Sequence, residues 1–230
     1  MLQKKHRVVK SGIYASLLIF FWCLLSCVKQ ENHVISECDK STIYENFKFS
    51  DQSFLWIKNT IGDTLHFENE DKQLKSIVLK EIINSLGQKN VLLRQCKQDT
   101  HKLKETIYYL NFKDYVFEDI NGLFRIVLRL QPLIDDTDET SLKVADLLSF
   151  HIKLSINEFD QRLMEIITWQ RDYPFNLNSP LQFAQIDLLT KVFYQVYLNT
   201  NDKESNQIYY SRSHGFVGLK FIDEKLFVKI

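Results

Sequence analysis

The sequence predicts an α+β fold, mainly antiparallel β-sheet with two or three helices, behind an N-terminal export segment. Three observations lead there. Short runs rich in β-branched and aromatic residues recur along the chain and are separated by Asn, Asp, Lys and Gly. Two other segments place apolar residues three and four apart, which is helical spacing, and a third opens on a Ser-Pro helix start. The first 26 residues, finally, differ in kind from the rest. Across the whole chain of 230 residues, 45% hydrophobic and 13% aromatic content are enough to bury a core.

Taken in order, residues 28–41 are polar and read as a tether. Ser53–Ile57 and Thr64–Phe67 are predicted strands flanking a glycine-containing hairpin loop at Asn59–Asp63. Leu74, Ile77, Val78, Ile82 and Leu86 predict an amphipathic helix over 70–86, with Glu70 and Asp71 in its first turn and Gly87 as its C-cap. Strands follow at 90–96, 106–112 and 123–130. Asn121-Gly122 is the turn before the last of them, and Pro132 closes it. Phe159, Leu163, Ile166 and Ile167 predict a second helix over 157–169. Ser179-Pro180 starts a third that reaches Leu189. The chain then returns to strand at 192–198, 208–211, 216–222 and 226–230, with Asp223–Lys225 as the last turn.

The N-terminal segment carries Lys4, Lys5, Arg7 and Lys10 and no acid, followed by an uncharged run from Ile13 to Leu25. A basic start, an apolar stretch and a small residue are the three parts of an export signal. The run is shorter than the roughly 20 residues a membrane-spanning helix needs. Leu24-Leu25-Ser26-Cys27 ends it. These four residues resemble the lipobox of bacterial lipoproteins, with Leu24 and Ser26 matching well and Leu25 larger than the commonest residue at its position. The resemblance implies cleavage between Ser26 and Cys27, diacylglycerol on the Cys27 sulfur and acylation of the new amine. It divides the chain into a signal peptide (1–26), a lipidated cysteine and tether (27–41) and one globular domain (42–230). Two or three acyl chains, each buried methylene worth about 0.8 kcal/mol, hold such a protein on a bilayer.

Charge narrows the partners. The whole chain is neutral, but all four cations before Cys27 leave with the signal, so the remainder is acidic by the same four charges. That argues against nucleic acid and gives no support to a polybasic grip on anionic lipid. Envelope proteins or an apolar ligand fit better. Of the four cysteines, Cys23 and Cys27 belong to the signal. Cys38 and Cys96 remain, read either as a disulfide, as export favours, or as two free thiols.

No cofactor or metal motif is present, and no catalytic one. His151 with Lys153 and Ser155 lies in a predicted strand, where a lone histidine is ordinarily structural. Ser211, Ser213 and His214 beside Gly215 suggest a nucleophile and base but read more simply as a hairpin loop closed by local hydrogen bonds. The acid run Asp135–Glu139 lacks the spacing of a calcium loop. Glu158 and Glu165 are too ordinary a pair to mark a glycosidase. Tyr108, Tyr109, Tyr194, Tyr197, Tyr209 and Tyr210, with Tyr173 and Phe175, either line a ligand cleft or a glycan platform or, by default, belong to core and sheet faces.

The closing stretch, YYSRSHGFVGLKFIDEKLFVKI, resembles the final hairpin of envelope lipoproteins of the Bacteroidota kind, with an aromatic-Ser stretch, a central Gly and a last aromatic strand. Leu226-Phe227 stands where a Trp is common. The resemblance implies a fold element and an address, the outer membrane on its periplasmic or surface face. The reading of function is a binding or structural lipoprotein acting by protein contact. The alternatives are a carrier of an apolar or acyl ligand in a curved-sheet cavity and, least favoured, a hydrolase.

Overall fold

The computed structural model describes residues 42–93, 104–135, 142–154, 161–171, 180–200, 202, 204–222 and 224–230. Chain contacts separate Met1–Lys40 from Ser41–Ile230, and all described residues belong to the second unit. The predicted export segment with Ser26 and Cys27, the predicted tether, Cys38 and Cys96 lie outside the described residues.

The described residues form a mainly antiparallel β-sheet. Its strands are β1 (Thr42–Phe47), β2 (Thr64–Glu68), β3 (Leu74–Leu93), β4 (Lys104–Asp119), β5 (Arg125–Asp135) and β6 (Lys143–Lys153). Then come β7 (Gln161–Arg171), β8 (Leu181–Leu188), β9 (Lys191–Leu198), β10 (Gln207–Ser211), β11 (Gly215–Lys220) and β12 (Phe227–Lys229). The order across the sheet is β7-β6-β5-β4-β3-β2-β12-β11-β10-β9-β8. Strand β4 is long enough to hold two neighbours on one edge: β5 pairs antiparallel with 113–118, and β1 runs parallel beside 105–110.

The sheet curls until distant strands meet across its concave face. Phe150 of β6 stacks edge-on against Tyr210 of β10 at 4.8 Å between ring centroids, and Phe117 of β4 meets Phe216 of β11 at 5.2 Å. Leu79, Ile126, Leu128, Leu130, Leu148 and Ile166 fill the space around them. A single four-residue helix, α1 (Asp51–Phe54), is the only α-helix among the described residues. Trp56, just after it, is buried in this core, and its carbonyl accepts the Tyr210 hydroxyl at 2.5 Å. On the opposite face the β8–β9 ribbon folds over β10–β12, burying Leu188, Phe193, Val196 and Val228 with Tyr209.

Where described, the three predicted helices are strand, apart from the turn before Leu74, and the two read from apolar spacing share a reason. An irregular ladder turns period-two burial into three-residue spacing. In β3 an extra residue at Lys80 shifts the register between Leu79 and Glu81, so Leu79 and Ile82 both face the core. In β7 two shifts add Leu163 and Thr168 to the count, bringing Leu163 and Ile166 inward together. In β8 and β9 the ribbon turns over at Gln195, whose φ is +50°, so Phe183 and Ile186 face one cluster, as do Phe193 and Val196. Gly87, the expected C-cap, lies in mid-strand beneath the Phe112 ring.

Two further expectations change. The predicted strand at 53–57 is α1 and its following turn, because Ser50 caps the helix by accepting from the Gln52 N–H. Pro132 does not end β5. Pairing with β4 stops at Leu130, so the missing N–H at Pro132 costs no ladder bond on that side, and β5 continues to Asp135. Asn121-Gly122 forms the β4–β5 turn, with Gly122 at φ +71° and the Asp119 carboxylate accepting from the Asn121 and Leu123 N–H groups.

Candidate functional site

At the end of the sheet marked by the β4–β5 turn, a cleft of about 330 Å³ opens between that turn and the end of β6. Leu123, Phe124 and Leu154 supply its apolar wall, and Glu118, Arg125 and Lys153 its charges. The register of the sheet builds this row. Glu118 and Lys153 lie directly opposite Arg125 on its two neighbouring strands. Like charges placed opposite one another are destabilising, so the Arg125–Lys153 pair suits an anionic group between them. Arg125 bonds to Glu81 through Nη2 at 3.2 Å, while its buried Nε has no partner.

Apolar side chains stay exposed around the same end. Ile120 and Leu123 project from the β4–β5 turn, and Leu74 starts β3. Ile120 is tied to the Ser76 carbonyl near that start. Ile222 follows Phe221, whose ring lies 4.5 Å from Phe124. Beneath them Lys75 sits over the rings of Phe221 and Phe227 at 4.9 Å each and pairs with Glu224. Such a rim can take a partner surface that brings both apolar side chains and a carboxylate.

A second polar group is buried. Asp146 of β6 is fully buried and points to α1, accepting the Ser50 N–H at 2.7 Å and the Ser53 hydroxyl at 2.6 Å through Oδ2. Thr168 donates to Ser53 at 2.8 Å, and Asp146 Oδ1 has no partner. Burial raises the Asp146 carboxyl above the ordinary carboxylate value, opposed by the bonds from Ser53 and Ser50. Through these bonds Asp146 latches α1 to the sheet.

The residues singled out from sequence are dispersed. His151 lies on β6 with its Nε2 3.1 Å from Ser149 Oγ. Ser211, Ser213 and His214 do meet, with Ser213 Oγ 3.0 Å from Ser211 Oγ and 2.7 Å from His214 Nδ1, in the tight β10–β11 turn. Ser211 also donates to the Tyr194 carbonyl, and these bonds close the turn. Asp135 pairs loosely with Lys143 at 3.8 Å, while 136–139 lie outside the described residues. Glu165 pairs with Arg162, and Glu158 lies outside. Tyr108 is buried beside Val91 and Ile134, Tyr210 in the main core and Tyr209 on the other face, whereas Tyr194 is exposed. They line no common cleft; Tyr173 and Phe175 lie outside the described residues. Burial pushes the Tyr115 hydroxyl up to about 12 and raises Tyr210 as well. Among the described residues no group of His, Cys, Asp and Glu could hold a metal, and no helix is long and apolar enough to cross a membrane.

Sequence reasoning missed both Asp146 and the Arg125–Lys153 row. One signal was available: Val144-Ala145-Asp146-Leu147-Leu148 places a lone acid in an apolar strand. The row depends on register between strands and left no trace in either strand alone.

In comparison with known proteins, no family model matches the chain, and no curated protein and no solved structure matches it either.

Proposed function

We propose that this chain is a bacterial envelope lipoprotein, cut before Cys27, held on the outer membrane by lipid on that cysteine, and acting by protein contact. One observation carries the contact reading. Among the described residues, aromatic and aliphatic side chains pack together on the concave face, while Leu74, Ile120, Leu123 and Ile222 remain exposed around a charged cleft. A carrier of acyl chains would need its open space inside the curl. In this reading the cleft receives an acidic group of an envelope protein between Arg125 and Lys153, and the apolar rim packs around it.

Two measurements test the proposal. Metabolic labelling with a fatty acid should mark the full chain and be abolished by Cys27→Ala; label retained in that variant refutes the anchor. A photoreactive residue in place of Leu123 should give a discrete protein adduct in the envelope, lost on Lys153→Glu. Absence of any adduct, or an acyl ligand co-purifying at one per chain, would turn the reading to the carrier.

A further inference from the structure

Strand β3 has a long edge with no described neighbour, as the end strands β7 and β8 of the sheet also do. β2 pairs with it only from Leu74 to Val78, and Leu79 exchanges bonds with Gly62 and Asp63. From Glu81 to Leu93 its ladder runs with β4 alone, and no described strand pairs with the opposite edge. Unpaired edges attract other strands, and proteins ordinarily blunt them with charge, proline or bulges. Here the seven residues Ile82–Gln88 carry no charge and no proline. They are also open to solvent, with Leu86 76% and Ile83 40% exposed.

The flanking charges decide what fits this edge. Glu81 and Lys89 stand at equal distances on either side of Ser85. We infer that the Glu81–Lys89 edge of β3 pairs antiparallel with the same edge of a second copy of this chain, about a two-fold axis at Ser85. That register sets Glu81 opposite Lys89 of the copy, and Lys89 opposite its Glu81, the opposite-charge pairing that stabilises adjacent strands. It also sets Ile83 opposite Gly87 and Leu86 opposite Asn84, so each large side chain faces a small one. Within its own chain Glu81 bonds to Arg125 at 3.2 Å and Lys89 donates to the Ile134 carbonyl at 2.6 Å, and in the dimer each also meets the opposite charge of the copy. A two-fold contact uses the same patch on both copies and closes, giving a dimer and no fibre.

Disulfide trapping in membranes from cells expressing the full chain tests this, with the unsubstituted chain as the background for its own cysteines. Ser85→Cys should form at least tenfold more oxidised dimer than Ile83→Cys or Gln88→Cys. The copies of the latter two are offset by roughly 13 Å and 20 Å along the strands. In the Ser85→Cys background, Glu81→Lys or Lys89→Glu alone should cut the dimer at least fivefold, and the double exchange should restore it to within twofold. Loss of Arg125 or Ile134 contacts cannot produce that rescue, because exchange repairs neither. The inference is overturned by a trapping level at 85 no higher than at 83 and 88, by a ladder of higher oligomers, by an adduct to a different polypeptide, or by a double exchange that behaves like the single changes.

Discussion

Strand β5 and the outer half of β3 are built from similar residues and meet opposite fates. β5 (RIVLRLQPLID) lies between β4 and β6 and alternates buried with half-buried positions along most of its length. The outer half of β3, from Glu81 to Asn90, has one described neighbour, and most of its positions are exposed, Ile83 and Leu86 among them. Both contain a run of branched aliphatics. The difference shows that burial here follows the number of strands beside a residue and the curl of the sheet. Hydrophobicity alone does not set it.

The sharpest way to break that comparison is to truncate one large side chain in each region. Phe150→Ala removes a ring held among Tyr210 and Phe216 and should cost about 3–5 kcal/mol in urea unfolding. Leu86→Ala should stay within about 0.5 kcal/mol, since 76% of Leu86 is already in water. Equal losses at the two sites would mean that the face of β3 carrying Leu86 is covered in solution, which edge pairing with a second copy does not do.

The Asp146 latch comes next. Asp146→Ala leaves the Ser50 N–H and Ser53 hydroxyl without their acceptor and should cost about 1–3 kcal/mol. Its pH dependence has a definite sign. A carboxyl raised in the folded state contributes stability that is fully present below its unfolded value of about 4 and is lost as pH rises through the folded value. The unfolding midpoint of the unsubstituted chain should therefore fall, relative to Asp146→Asn, as pH rises above about 4. An amide keeps an acceptor for both donors and does not ionise. Parallel curves for the two would refute a raised carboxyl.

Smaller effects sharpen the picture at the other end of the sheet. Gly218 lies under Tyr209, and a methyl there would approach its Cδ2 to 3.2 Å and Leu188 Cδ1 to 3.3 Å. Both neighbours are buried, so Gly218→Ala should lose about 1 kcal/mol by thermal unfolding despite a stiffer unfolded chain. Leu189, at φ +53° in the β8–β9 turn and nearly half exposed, holds a conformation that disfavours a side chain. Leu189→Gly should gain about 0.5 kcal/mol, the relief exceeding the entropy cost. A loss there would show that the Leu189 side chain packs on its neighbours.

How legible the fold was depends on how regular the ladder is. The closing strands, Thr64–Phe67, Thr106–Phe112 and the Asn121-Gly122 turn were readable because their local chemistry and their pairing agree. Glu70–Leu86, 157–169 and 179–189 were misread where a bulge or a residue at positive φ resets the alternation, since a helix and a bulged strand then place apolar residues at the same spacing. Of the cleft, only the turn was legible. Its charge row is an alignment of three strands, and no single strand encodes its neighbour's register.

By itself the sequence determined the β-rich class, the places of β2, β9 and the closing strands with parts of β4 and β5, the acidic balance after residue 26 and the lipobox-like run before Cys27, because each rests on local composition and order. The tertiary structure alone decided which of the described strands are flanked on both sides and which have an edge without a described neighbour. It also decided that Asp146 meets Ser53 and that Arg125 faces Lys153. Those outcomes depend on curl and register, which arise only when distant strands pair and their side chains compete for one interior.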